Sequence, residues 1–300
     1  MVDAGRRARV LPEEDYYSAD IRADSRETRK TPRSMSTQLS HLQIDDLSIA
    51  YRRAGRGPAL VLLHGFLCDS RCWRCQLADL SEHFDVIAWD APGAGMSSDP
   101  PVPFTLGDWS RCLARFLDAL GAAPAHVVGL SWGGVLAQDF YRLDPMRVSR
   151  LILADTYAGW KGSLPAEAVE QRLARCERDS RLPPEALVSR WVPEMFSDAA
   201  PPRLLEEMST VFADFHPVGF RLMAQSLADT ETTGLLPGIR SPTLILWGED
   251  DSRSPIAIAE QLRDAIPGAD LRVIARAGHV SNMEQPAAFN AEVRRFCVAA

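Results

Sequence analysis

Ser131, His279 and an aspartate at 250 or 251 are far apart in the chain, yet together they could perform nucleophilic chemistry. Ser131 lies in Gly129-Leu130-Ser131-Trp132-Gly133, a G-x-S-x-G run. A buried-type apolar stretch, Ala125–Leu130, comes before it, and a helical pattern over 135–143 follows. That strand–turn–helix context gives the motif its meaning. Glycines two residues away let a nucleophile occupy a strained turn without side chains colliding. The bland alternative is a serine that caps the helix. A hydroxyl alone is a weak nucleophile, so a base and an orienting carboxylate are required. His279, in Ala277-Gly278-His279-Val280 after the last apolar run, suits the base, although a loop histidine can simply bond to backbone. His83, His126 and His216 lack such a setting. Trp247-Gly248-Glu249-Asp250-Asp251 follows the preceding apolar run and offers the acid.

A second constellation competes with the first. Cys68, Cys72 and Cys75 stand at the C-x3-C-x2-C spacing with which radical enzymes hold an iron–sulfur cluster, just after His64-Gly65-Phe66. Gly93-Ala94-Gly95 is no dinucleotide fingerprint, because Ser98 stands where the third glycine belongs.

The elements that would position these groups are legible as alternating apolar runs and amphipathic helices, the pattern of a mostly parallel sheet wrapped by helices. Residues 42–51 read as a hairpin or edge strands. Buried strands are expected at Ala59–Leu63, Asp85–Trp89, Ala125–Leu130 and Val148–Ala154, then over 243–247 and 271–274. Leu106, Trp109, Leu113, Phe116, Leu117 and Leu120 share one helical face, with Thr105 as the N-cap. A last helix carries Phe289, Val293 and Phe296. Between Ala154 and Ser241 the rhythm stops. Pro165, Pro183-Pro184, Pro193, Pro201-Pro202 and Pro217 break the segment into short helices, a helical cap over about 157–238. Such a cap would cover the carboxyl edge of the sheet, where open α/β sheets bind ligands. Its aromatics, Trp160, Trp191, Phe196, Phe212 and Phe220, are expected mostly to pack the helices together.

Composition bounds the rest. A net charge of −7 and an isoelectric point near 5.4 argue against a general nucleic-acid binder. No apolar run approaches the ~18 residues of a membrane span. The six cysteines form no disulfide framework, so a reducing cytoplasm is expected. Residues 1–34 hold eight Lys/Arg and seven Asp/Glu without an apolar face. They read as a disordered extension. Arg6-Arg7 makes no export signal, since Leu11-Pro12-Glu13-Glu14-Asp15 stands where an apolar stretch is needed. Met35 is a second candidate start.

Several motifs occur together in one order: His64-Gly65-Phe66, Asp90-x-x-Gly93-x-Gly95-x-Ser97, Gly129-x-Ser131-x-Gly133-Gly134, Gly248-x-x-Asp251-x-x-x-Pro255 and Gly278-His279. On these the chain, from about 38 to 298, resembles the α/β-hydrolase fold superfamily, whose chain order is also serine, acid, histidine. The resemblance implies a doubly wound, mostly parallel sheet with a helical cap inserted before the last two strands. It also favours Asp251 over Asp250, by distance from Gly248 and Pro255. Asp155 is a second candidate acid, because some members place it after that strand. The oxyanion donors it implies are the backbone N–H groups of Phe66 and Trp132, with His64 and Gly65 shaping the loop. An iron–sulfur cluster at Cys68, Cys72 and Cys75 would collide with that site, so these are expected to be plain thiols. Neither a metal nor a cofactor is expected.

Finer resemblances divide. Residues 278–290, and weakly His216-Pro217-Val218-Gly219-Phe220, resemble 3-oxoadipate enol-lactonases, whereas Ser131-Trp132-Gly133-Gly134-Val135-Leu136-Ala137-Gln138 resembles intracellular polyhydroxyalkanoate depolymerases. A serine in the elbow weighs against epoxide hydrolases and haloalkane dehalogenases. The expected function is a serine hydrolase of a small carboxylic ester or lactone. A carbon–carbon bond hydrolase and a non-catalytic ligand receptor on the same fold are the alternatives.

Overall fold

The computed structural model describes Arg9–Val10 and residues 38–298. Its strands are β1 (Arg9–Val10), β2 (Leu39–Ile44), β3 (Leu47–Gly55), β4 (Ala59–Leu63), β5 (Asp85–Trp89), β6 (Ala125–Leu130), β7 (Val148–Ala154), β8 (Thr243–Gly248) and β9 (Asp270–Ile274). They form one sheet in the order β1-β9-β8-β7-β6-β4-β5-β3-β2. β3 runs antiparallel to both its neighbours, β2 and β5, and every other pairing is parallel. The central strands are continuous apolar runs because helices cover both faces, so alternation has no solvent side to report. Every residue of β8 is buried.

The segment 1–34, expected to be disordered, lies outside the described residues except for Arg9–Val10. Those two residues pair in parallel with Arg272 and Val273 of β9. The outer edge of β9 presents N–H and C=O groups that need partners, and a passing extended segment can supply them.

The helices are α1 (Arg74–Leu80), α2 (Leu106–Leu120), α3 (Trp132–Leu143), α4 (Trp160–Ser163), α5 (Ala166–Asp179), α6 (Pro184–Trp191), α7 (Pro202–Ala213), α8 (Pro217–Asp229), α9 (Ile256–Ala265), α10 (Ser281–Glu284) and α11 (Pro286–Val298). α1 packs against α11, and α2 against α3. Thr105 caps α2 as its sequence implies: the Asp108 carboxylate accepts the Thr105 N–H at 2.8 Å, a capping box. α4 to α8 all fall between β7 and β8, forming the helical insertion ahead of the last two strands. One seam between this insertion and the sheet is a glycine pair. A Cβ on Gly219, near the start of α8, would lie 1.9 Å from the Gly93 carbonyl oxygen, so only glycine permits the approach. The aromatics of the insertion do more than fill it. Trp160, Trp191 and Phe220 surround the Phe66 ring at centroid distances of 6.2, 5.8 and 5.5 Å. The insertion is thereby packed onto the loop that follows β4.

Candidate active site

Three loops at the ends of β6, β8 and β9 converge. Ser131 sits between β6 and α3 with φ +53 and ψ −117, a strained conformation for a residue with a side chain. The flanking glycines make this turn feasible. A Cβ on Gly129 would lie 2.3 Å from the Gly133 carbonyl oxygen, and one on Gly133 would lie 2.2 Å from that of Leu63. The Ser131 N–H donates to the Ala154 carbonyl at 2.9 Å, which fixes the turn against β7.

His279 follows β9, two residues before α10, and its ring bridges two partners. Nε2 is 2.9 Å from Ser131 Oγ, and Nδ1 is 2.9 Å from Asp251 Oδ2. Ser131, His279 and Asp251 are all buried, with at most 6% of any residue exposed. Burial pushes the Asp251 carboxyl up, but the His279 charge and hydrogen bonds from His279 and Ser254 outweigh it, leaving Asp251 below the usual carboxylate range. An ionised Asp251 only accepts, so Nδ1 carries the ring proton and Nε2 is free to take one from Ser131. Asp251 Oδ1 accepts the N–H groups of Arg253 and Ser254 at 2.8 and 3.0 Å, an Asx-type turn that holds the carboxylate still. The Ser254 hydroxyl donates to Oδ2 and lies 3.2 Å from Nδ1. Ser254 escaped the sequence reading, although an aspartate that accepts the N–H two residues on, as Asp251 does from Arg253, is a local turn signal.

The two rival acids lie elsewhere. Asp250 is exposed, and its N–H donates to the Ala277 carbonyl. Asp155 is fully buried at the end of β7; it accepts the Gly248 N–H at 2.7 Å and the Ser281 hydroxyl at 2.6 Å. It therefore ties β7, β8 and α10 together beneath the histidine loop. Burial, then the nearby charge of Asp251, pushes its carboxyl well above the usual range. Asparagine is the neutral isostere: its oxygen can accept from Gly248 and its amide can donate to Ser281. Asp155→Asn is therefore expected to keep kcat within about tenfold of wild type, because the amide can preserve both contacts. A raised carboxyl pKa lends stability that is lost as pH rises above about 4. The variant should lose less stability than wild type over that rise, as denaturant titrations at several pH values would show.

Other residues shape the site. The Ala91 N–H donates to His64 Nε2 at 3.0 Å, so Nδ1 carries the proton and donates to the Gly65 carbonyl at 2.7 Å. His64 is thus a neutral brace, and burial lowers its pKa. Among the described residues, no backbone carbonyl accepts from the N–H of Phe66 or of Trp132. The Trp132 side chain is committed elsewhere: its Nε1 donates to Ser226 in α8 at 2.9 Å, and the ring meets Trp109 edge-on. Glu284 accepts the N–H groups of Gly278 and Ser197, linking the histidine loop to the helical insertion. A small pocket against Ser131 is lined by Phe66, Cys68, Met195, Arg253, His279 and Val280. Cys68 and Cys72 are buried and Cys75 is partly exposed on α1. Among the described residues, no three His, Cys, Asp or Glu side chains are grouped so as to hold a metal ion.

Residues 60–292 match the model of the alpha/beta hydrolase family. The chain is 28% identical over 253 residues to 3-oxoadipate enol-lactonase 2 of Acinetobacter baylyi, an alignment covering 83% of this chain and 92% of that one. It is 30% identical over 197 residues to a poly(3-hydroxyalkanoate) depolymerase of Ectopseudomonas oleovorans, covering 65% and 69% of the two chains. Its fold matches that of a thermophilic esterase from Thermogutta terrifontis with a TM-score of 0.79 and 30% identity, over 87% of this chain and 98% of the esterase. The chain belongs to the alpha/beta hydrolase family.

Proposed function

We propose that this member of the alpha/beta hydrolase family is a serine hydrolase that cleaves a carboxylic ester or lactone through an acyl-enzyme. The observation that carries this reading is the unbroken relay from Ser131 Oγ through His279 to Asp251, each step 2.9 Å. As Oγ attacks the substrate carbonyl carbon, His279 Nε2 takes its proton and Asp251 stabilises the imidazolium. The carbonyl π electrons move to oxygen, where the N–H groups of Phe66 and Trp132 hold the charge, each such donor being worth roughly 3 kcal/mol. The intermediate collapses by breaking the bond to the alkoxy oxygen, which leaves with the proton from His279. In a lactone that alcohol remains tethered to the acyl chain. Water then gives a proton to His279 and attacks the acyl carbon; the bond to Ser131 Oγ breaks, Oγ takes that proton back from His279, and the acid is released.

An enol-lactone-like substrate is supported by the enol-lactonase relative, and the chain's six free thiols support a cytoplasmic setting. Among the described residues, no helix is long and apolar enough to cross a membrane. A panel of p-nitrophenyl esters and lactones, with mass spectrometry after fluorophosphonate treatment, tests the reading. Turnover of at least one ester or lactone, with the phosphonyl adduct on Ser131, is expected. No turnover across the panel and no adduct would leave a ligand receptor. Cleavage confined to carbon–carbon substrates would change the reaction class.

A further inference from the structure

The insertion and the loop of Asp251 enclose a second cavity, of about 170 Å³, whose lining includes Arg172, Arg175, Arg253, Trp160, Trp191 and Glu194. Three guanidinium groups there face one carboxylate. Glu194 is already engaged: it accepts both Nη groups of Arg175, at 2.7 and 3.0 Å, and Arg253 Nη1 at 2.8 Å. Among the described residues, Arg172 donates only to neutral oxygens, the Tyr157 hydroxyl at 3.0 Å and the Arg253 carbonyl at 2.8 Å. The cavity therefore holds an excess of positive charge.

Arg253 is the residue with most left to give. It lies two positions after Asp251, and its guanidinium packs over the rings of Trp191 and Phe66 at 4.9 and 5.8 Å. Its side chain is only 11% exposed. Nη1 is its one hydrogen-bonded side-chain nitrogen among the described residues, and Nε is buried without an acceptor. A buried donor left unpaired is costly, so the free Nε–Nη2 edge favours an acceptor of matching shape. A carboxylate meets that edge through two parallel hydrogen bonds. Arg253 also lines the pocket at Ser131, so one side chain borders both the nucleophile and the cationic cavity. At about 30 Å³ per water molecule, the cavity has room for a carboxylate with a few methylenes.

We propose that Arg253 and this cavity form a carboxylate subsite, so that the preferred substrates are esters or lactones whose acyl part carries a second, free carboxylate. This deepens the serine hydrolase reading and, as a statement about substrates, rests on it. A purely structural cluster, pinning the insertion to the sheet, would affect charged and neutral substrates alike.

The test compares p-nitrophenyl hydrogen glutarate with p-nitrophenyl valerate, which match in chain length but differ in the terminal carboxylate. Wild type is expected to favour the glutarate in kcat/KM by about tenfold or more, chiefly through KM, and Arg253→Met to abolish that ratio. Free glutarate should also raise the Tm of Ser131→Ala beyond an equal ionic strength of sodium chloride or phosphate. That shift should vanish when Arg253→Met is added. If Arg253→Met does not fold, Arg253→Lys replaces it, keeping the charge but losing the planar fork, with a smaller ratio expected. Equal kcat/KM for the two esters in wild type, a preference that survives the substitution, or a glutarate shift no larger than that of salt would each overturn the proposal. The two readings fail separately. Glutarate stabilisation that depends on Arg253, without cleavage of any ester, would sink the hydrolase reading and keep the anion site. Ser131-dependent cleavage without preference would do the reverse.

Discussion

Ser131→Ala is expected to lower kcat by at least ~10³-fold on every substrate the protein cleaves, because the members of a nucleophilic triad act as a unit. Without Oγ there is no acyl-enzyme. What remains is the catalysis that the oxyanion donors and binding give to direct attack by water. Little else should change. Among the described residues, the Ser131 hydroxyl bonds to His279 alone, while the Ser131 N–H to Ala154 and the neighbouring glycine contacts belong to the backbone. The variant should therefore fold, with an unaltered circular dichroism spectrum and a Tm close to wild type. Steady-state assays on the best substrate from the ester and lactone panel provide the measurement. Wild-type turnover in a folded Ser131→Ala protein would remove the acyl-enzyme from the mechanism.

Asp251→Asn is expected to cost roughly 10⁴-fold in kcat, by the same logic that governs triad acids elsewhere. The local geometry dictates how. Oδ1 accepts two backbone N–H groups, from Arg253 and Ser254, so the asparagine oxygen must stay at that position. The amide nitrogen then faces His279 Nδ1, where the carboxylate oxygen now lies. An amide donates, so Nδ1 would have to accept and the ring proton would move to Nε2. A histidine protonated at Nε2 cannot take the proton of Ser131. Nitrogen-15 NMR of the ring should report that switch of tautomer alongside the loss of rate. Asp250→Asn should have little effect, since Asp250 is exposed and, among the described residues, only its backbone N–H bonds to the neighbouring loop. Near-normal turnover in Asp251→Asn together with a dead Asp155→Asn enzyme would show that the acid has moved.

Much of the fold was legible in the sequence because its signals are local. Ala59–Leu63, Asp85–Trp89, Ala125–Leu130 and Val148–Ala154 read as strands directly, since a strand buried on both faces is a short unbroken apolar run. α2 announced itself through one apolar face and the Thr105 cap. The prolines that divide 155–241 into short helices are equally local, because proline removes a donor and clashes within a helix interior. The sharp turn at Ser131 was legible for a different reason. The absence of side chains at Gly129 and Gly133 is written in the residue types, even though one of the contacts they permit, to Leu63, is remote.

What only the tertiary structure decided are distances between loops that the chain separates by tens or hundreds of residues. Residue types alone left Asp155, Asp250 and Asp251 all eligible, and family spacing favoured Asp251. Only the strand order, which sets β8 between β7 and β9, determines which carboxylate faces the histidine ring. It also places Asp155 beneath the loop as a strut to Gly248 and Ser281. The same applies to the aromatics of the insertion: their residue types mark them as packing groups, but not that Phe66 is what they bury. It applies most strongly to Arg253, which in the sequence is one arginine among many. Hydrophobic pattern records whether a residue meets water, a one-body property averaged over a turn or a strand. A charged side chain's role depends on which partners surround it, and here those partners come from α5, the 3-10 turn of Glu194 and the loop after β8. Their meeting is a consequence of chain topology, and no local stretch of residues encodes it.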